Sequence, residues 1–280
     1  MAFRIAQITD THLSAKHADF TANFDALVEH LRLAKPDLVV HTGDVSAHGE
    51  LADDDLRFAK SKLDAMGLPW LAIPGNHDVG NDPGLGATPA NAERLARWTA
   101  IFGPDHFVTD VPGWRLIGLD TLITITDMPE AETQFQTLSG ALQSAEDRSI
   151  ALFLHKPLCE ETMAEEVVTY WSVQPGPRGR ITDLLTEFPP AFVASGHVHQ
   201  WRDRGVVEGL RQIWAPAAAF IVGDTWQHRS PGSNKPVGYV EHLLHEDGGH
   251  EYKLIEPAGM QRHDLGLLPG IYPAMQPLAA

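Results

Sequence analysis

At 280 residues the chain has room for one large domain or two small ones around a sizeable core. Its 43% hydrophobic and 21% charged residues exclude a disordered or collagen-like polymer, and no apolar run approaches the roughly 20 residues of a bilayer span. With 37 acidic against 21 basic residues the net charge is −16, which repels polyanions and argues against a nucleic-acid polymer as partner.

In chain order, apolar runs alternate with helix-like stretches. Phe3–Ile8 (FRIAQI) is a predicted strand that stops at Asp10, Thr11 and His12. Residues 22–34 carry Phe24, Leu27, Val28, Leu31 and Leu33 at near-helical spacing, with Pro36 just beyond. The run 38–41 ends in Gly43-Asp44. A predicted helix over 51–66 places Leu56, Ala59, Leu63 and Met66 on one face and stops at Gly67. Trp70–Ile73 ends in Gly75-Asn76-His77-Asp78. Residues 90–102 and 130–143 are further predicted helices, and 107–120 a hairpin turning at Pro112-Gly113. The run 150–154 ends in His155, and 192–194 in Gly196-His197-Val198-His199. Strands are predicted at 205–207, 210–215, 237–245 and 251–255, and Gly/Pro-rich loops at 80–89 and 175–179. Alternating strands and helices followed by a β-rich part predict an α/β fold of two stacked sheets with outer helices. The site is expected at the carboxyl ends of the strands. Residues 1–256 read as one domain, and 257–280 as a Pro/Gly-rich tail that packs loosely or contacts a partner.

Five runs stop at side chains able to hold a metal. Asp10, His12, Asp44, Asn76, His155, His197 and His199 are oxygen or imidazole donors, enough for two divalent ions with the Asp44 carboxylate between them. Such a mixed set suits Mn, Fe, Zn or Co, and bound cations would reverse the acidic field for a phosphate-bearing substrate. Two ions close together can clamp an in-line displacement at phosphorus.

The blocks DTH at 10–12, GD at 43–44, GNHD at 75–78, the lone His155 and GHVH at 196–199 resemble the calcineurin-like metallophosphoesterase superfamily. The stretch from Gly43 to Asp78 resembles its class III cyclic nucleotide phosphodiesterase branch, which includes glycerophosphodiesterase-like enzymes. The resemblance implies a four-layer α/β/β/α sandwich of two mixed sheets flanked by helices. It implies that Asp10, His12 and His199 bind one metal, that Asn76, His155 and His197 bind the other, and that Asp44 bridges. His77, with Asn76, would contact the substrate phosphate and assist the departing oxygen, while a hydroxide shared by the ions attacks in line. Where many relatives have a second histidine after the lone one, this chain has Lys156-Pro157.

The implied activity is phosphodiester hydrolysis, with cyclic nucleotides among the small diesters considered. The alternatives are a phosphomonoesterase or broad phosphatase, and a non-catalytic metal-binding scaffold. Tyr170 and Trp171 read equally as a base-stacking pair or as loop anchors. His41 reads as a satisfied buried histidine, Asp78 as a turn former, Asp120 as a strand-end cap, and Arg178 and Arg180 as solvated. His48, His106, His228, His242, His245, His250 and His263 read as surface or packing residues. Cys159, the one cysteine, reads as a buried inert thiol and with the absence of a visible signal peptide suggests a reducing, cytoplasmic setting. No membrane partner is expected, and the oligomeric state, homo-oligomer included, is left open.

Overall fold

The computed structural model describes residues 2–268, 270–273 and 277–278. In chain order the elements are β1 (Phe3–Ile8), α1 (Ala18–Ala34), β2 (Leu38–Thr42), α2 (Asp53–Ala65), β3 (Trp70–Ile73), the short α3 (Asn76–Val79), α4 (Ala92–Phe102), β4 (Phe107–Val111) and β5 (Trp114–Leu119). There follow α5 (Pro129–Gln143), β6 (Ser149–Leu154), α6 (Pro175–Glu187), β7 (Phe192–Ser195), β8 (Arg202–Val207), β9 (Leu210–Trp214), β10 (Tyr239–Leu244), β11 (His250–Ile255) and a 3-10 turn at Leu265–Leu267. One sheet has the order β11-β10-β1-β2-β3 and the other β4-β5-β6-β7-β9-β8. β1, β2 and β3 run parallel along one side of the first sheet, and β5, β6, β7 and β9 run parallel in the middle of the second, so both sheets are mixed.

Side-chain alternation along the strands builds the layers. Ile5 and Val40 from the first sheet meet Leu116, Phe153, Phe192 and Ile213 from the second, forming the layer between the sheets. The opposite faces of β1 and β2, through Ala6, Ile8 and Val39, pack on Leu27 and Leu31 of α1, Leu56 and Leu63 of α2 and Trp98 of α4. Ile117, Leu152 and Leu154 of the second sheet pack on Leu138 and Leu142 of α5 and Ile181 and Leu185 of α6. The result is the expected α/β/β/α sandwich. Full burial of each such side chain contributes about 1.5–3 kcal/mol. Among the described residues no helix is long and apolar enough to cross a membrane.

Three expectations are corrected. The 175–179 stretch is not a loop but the first turn of α6. Pro175 stands at the first helical position, where an amide hydrogen would have no helical acceptor, and Pro177 falls in the same turn. Arg178 is not solvated: it is buried, and its guanidinium donates to the carbonyls of Leu158 and Val173, tying α6 to the preceding segment. Leu33, on the predicted apolar stripe of α1, faces solvent. Arg180 is exposed and paired with Glu132.

Residues beyond 256 return over α1. Asn23 donates to Gln261 O, and Ile221 bridges to Asp264. Leu265, Leu268 and Tyr272 pack on the cluster of Phe20 and Phe220. Of the expected domain and tail, residues 1, 269, 274–276, 279 and 280 lie outside the described residues.

Candidate metal centre

β1, β2, β3, β6 and β7 all end at one edge of the sandwich, and each delivers donors there. Parallel neighbours necessarily point their carboxyl ends the same way. The chain must then turn at once, and it does so through strained backbone. Asp10 (φ 52°), His12 (φ 43°), Asp44 (φ 51°), His197 (φ 68°) and His199 (φ 56°) all adopt the left-handed region. Bulky residues rarely go there, and each instance costs about 1–3 kcal/mol. Such strain concentrated on five donor residues marks a functional site. Glycines make the close approaches possible: a Cβ on Gly43 would overlap the His155 ring, and one on Gly196 would overlap Thr9. Asp78 clamps two of the loops together, accepting from the amides of Val45, Ser46 and Gly75.

The donors form two trios within reach of a single ion each: Asp10, His12 and His199, and Asp44, His155 and His197. Asp44 faces both. Its Oδ2 lies 3.8 Å from His12 Nε2 and its Oδ1 3.5 Å from His155 Nε2. Asn76 turns its Oδ1 inward, 3.2 Å from His155 Nε2, while its amide nitrogen donates to the Tyr170 hydroxyl. Every donor named is buried.

The hydrogen bonds on the far side of each imidazole set its tautomer. His155 Nδ1 donates to Thr42 O (2.8 Å), His197 Nε2 to Tyr170 O (2.9 Å) and His199 Nδ1 to Phe220 O (3.0 Å). A carbonyl only accepts, so each bonded nitrogen carries a proton, and the other is the one free to offer a lone pair to a cation inside. Within the centre, His12 Nε2 faces His199 Nε2 at 3.4 Å, and His197 Nδ1 faces His155 Nε2 at 3.1 Å. Asp10 Oδ1 is buried without a hydrogen-bond partner among the described residues, 3.3 Å from His199 Nε2. Acceptors facing acceptors around an orphaned carboxylate oxygen fit a cation, and the mixed oxygen and imidazole set suits a borderline divalent ion. The electrostatics agree. Burial raises the pKa of Asp44, but His155 and His77 outweigh it and hold the carboxyl well below the usual range. Burial lowers the pKa of His155, but Asp44 and Asp10 push it up to about 9. The centre thus draws positive charge, whether proton or metal.

His77 stands apart. It alone of the eight residues is only half-buried. Its amide donates to Asp44 Oδ1 (2.8 Å) and its Nδ1 to Ala47 O (3.1 Å), which leaves Nε2 for the centre. It also groups with His12 and Asp44 as a further donor trio. Around the centre, Tyr170 sits over the second trio with its ring 5.0 Å from that of His197. Lys156 is fully buried, donating to Asn81 (2.7 Å) and Asp82 (2.9 Å) beneath the Tyr170 ring. His41 donates to Thr11, between two donors, and burial keeps it neutral by lowering its pKa to about 3. Burial pushes the Cys159 thiol up to about 11, consistent with an inert group. Asp120 accepts from the Leu122 amide as a strand-end cap.

One residue escaped the sequence reading. Tyr272, 73 positions after the last motif residue, places its hydroxyl 2.6 Å from His12 Nδ1 and its ring 4.6 Å from that of His77. Nothing in its spacing marks it.

Residues 3–201 match the family model described as calcineurin-like phosphoesterase. The chain is 27% identical over 212 residues to a protein named probable glycerophosphodiester phosphodiesterase GpdQ from Arcobacter nitrofigilis, covering 70% of this chain and 71% of that one. It is 29% identical over 202 residues to the serine/threonine-protein phosphatase CPPED1 of Danio rerio, covering 68% of this chain and 62% of that one. Among solved structures, the purple acid phosphatase PPD1 from yellow lupin superposes with a TM-score of 0.67 at 16% identity, over 94% of this chain and 53% of that one.

Proposed function

Because the chain belongs to the calcineurin-like phosphoesterase family and is a phosphoric ester hydrolase, we propose that it cleaves small phosphodiesters at a dinuclear metal centre. The observation that carries this reading is the pair of donor trios with one oxygen of Asp44 turned to each. Asp10, His12 and His199 would hold one divalent cation, Asn76, His155 and His197 the other, and Asp44 would be shared. When bound, the cations would supply Lewis acidity to a phosphoryl oxygen and to an attacking water. Mn, Fe, Zn and Co are all compatible with this donor set.

The chain's own residues do the rest. The Thr42, Tyr170 and Phe220 carbonyls orient three imidazoles before any substrate arrives. Burial excludes bulk water from the donors, so their charges act at low dielectric. His77 is the donor reachable from outside; with Nδ1 donating to Ala47 O, it would have to take a second proton, on Nε2, to bind the phosphate as a donor or to protonate the departing oxygen. Diester specificity is supported by the relative named a glycerophosphodiester phosphodiesterase. A phosphomonoesterase is the second reading, favoured by the relative named a protein phosphatase.

The test compares alkyl diesters, aryl diesters and aryl monoesters in the wild type and in His77→Ala, with the metal varied. Proton donation is worth about 10²–10⁴-fold, and most for a basic alkoxide. The variant should slow far more on an alkyl than on an aryl diester. Equal slowing on both would reduce His77 to a phosphate-positioning residue. Monoester turnover exceeding that of every diester would replace the first reading by the second.

A further inference from the structure

We propose that Tyr272, brought in by the C-terminal segment, is a positioning residue that holds His12 in its metal-binding tautomer; this rests on the reading that Asp10, His12 and His199 hold a divalent cation. Three of the four imidazoles in the trios are oriented by backbone carbonyls, those of Thr42, Tyr170 and Phe220. His12 is the exception. Its Nδ1 meets the Tyr272 hydroxyl at 2.6 Å. That hydroxyl donates to Ala47 O at 3.2 Å. A hydroxyl has one proton to give, so toward His12 it accepts, and the imidazole carries its hydrogen on Nδ1. Nε2 is then the lone-pair nitrogen, and it is Nε2 that faces Asp10 (4.0 Å), Asp44 (3.8 Å) and His199 (3.4 Å).

Among the described residues the Tyr272 hydroxyl is the one hydrogen-bond partner of His12 Nδ1, with the His77 ring standing 4.9 Å away edge-on. The ring is buried against Phe220 (4.7 Å between centroids) and Phe20 (6.5 Å). The Tyr272 ring is set among His77 (4.6 Å), His48 (5.1 Å) and Phe220 (6.2 Å). The segment carrying it is docked independently, through Asn23 to Gln261 and through Asp264 to the amide of Gly223. A residue 260 positions from His12 in sequence therefore completes the outer hydrogen-bond shell of the first trio. Outer partners of ligating histidines typically tune metal affinity by about 10–100-fold.

The experiment is calorimetric titration of the metal-free full-length chain with Mn(II), wild type against Tyr272→Phe. The phenylalanine keeps the ring on His77 and removes only the oxygen. Two binding events are expected in the wild type. In the variant one of them should weaken by about 10–100-fold while the other keeps its affinity, a selectivity that a general loosening of the fold would not produce. A variant that binds both ions as the wild type does overturns the role of Tyr272 and leaves the dinuclear reading standing. A wild type that binds no ion overturns that reading and this inference with it. Nitrogen-15 NMR of the histidines in the Zn(II)-loaded wild type adds a check independent of the variant's folding. His12 should carry its proton on Nδ1, and a proton on Nε2 would overturn the proposal.

Discussion

Between the sheets, Ile5, Val40, Leu116, Phe153 and Ile213 are fully buried on regular strands. A few residues further along, at the ends of the same two sheets, Asp10, Asp44, His155 and His197 are just as inaccessible. The first region buries apolar surface and stabilises the fold. The second buries carboxylates and imidazoles on strained backbone, which costs stability unless the charges are matched. Equal burial thus has opposite energetic signs, and the difference separates what holds the molecule together from what it does. Substitutions between the sheets should accordingly lower stability and spare turnover, whereas those at the strand ends should strike turnover in the folded protein.

The largest expected effect is at the strand ends. Asp44→Ala removes the carboxylate that faces both trios, and phosphodiester turnover should fall on the order of 10³-fold or more. Chemical denaturation of the metal-free protein should show a loss as well, because the buried His155 loses its counter-charge and the His77 amide its acceptor, so turnover is compared in the folded variant. Near-normal kcat in this variant would break the contrast.

In the layer between the sheets, Leu116→Ala should cost about 2–5 kcal/mol in denaturant unfolding. Its kcat under native conditions should stay within a few-fold of wild type. A variant that unfolds normally but fails to turn over would show that the two regions are not separable.

A smaller effect comes from histidines that belong to the stabilising region. His242 and His250 stack on Phe192 and hydrogen-bond each other at 3.0 Å, with His242 also donating to Gln7. Burial, reinforced by Arg211, lowers the pKa of His250 to about 4. Burial and His250 lower that of His242 well below its usual value. Because the folded form resists protonation, the unfolded chain binds more protons in acid. The contribution is fully present above the unfolded pKa of about 6.5 and is lost as pH falls toward about 4. The His250 part is at most about 3 kcal/mol. Unfolding measured from pH 7 to pH 4 should show a shallower decline in His250→Phe than in the wild type. Parallel declines would remove this pair from the stabilising layer's acid sensitivity.

The contrast also explains what could be read from the amino-acid sequence. The strands and their terminal donors were legible because apolar runs and chemistry-bearing residues are contiguous, and each block carries its own turn glycine. The first turn of α6 was not, since proline and glycine at 175–179 signal a loop unless their place at a helix start is known. Arg178 read as solvated because its acceptors, Leu158 and Val173, come together only when the segment before α6 folds back. Tyr170 left two readings open: its position after His155 says nothing of Asn76 or His197, which it meets in space. Tyr272 is the extreme case, a single residue in a stretch with no periodicity, meaningful only through a hydrogen bond to His12.

The central claim is that Asp44 is shared by two cations. The most direct test is metal content: the full-length chain is incubated with Mn(II) or Zn(II), freed of excess ion by gel filtration, and assayed by elemental analysis. The account predicts two ions per chain in the wild type. At most one retained ion per chain, with either metal, would contradict it.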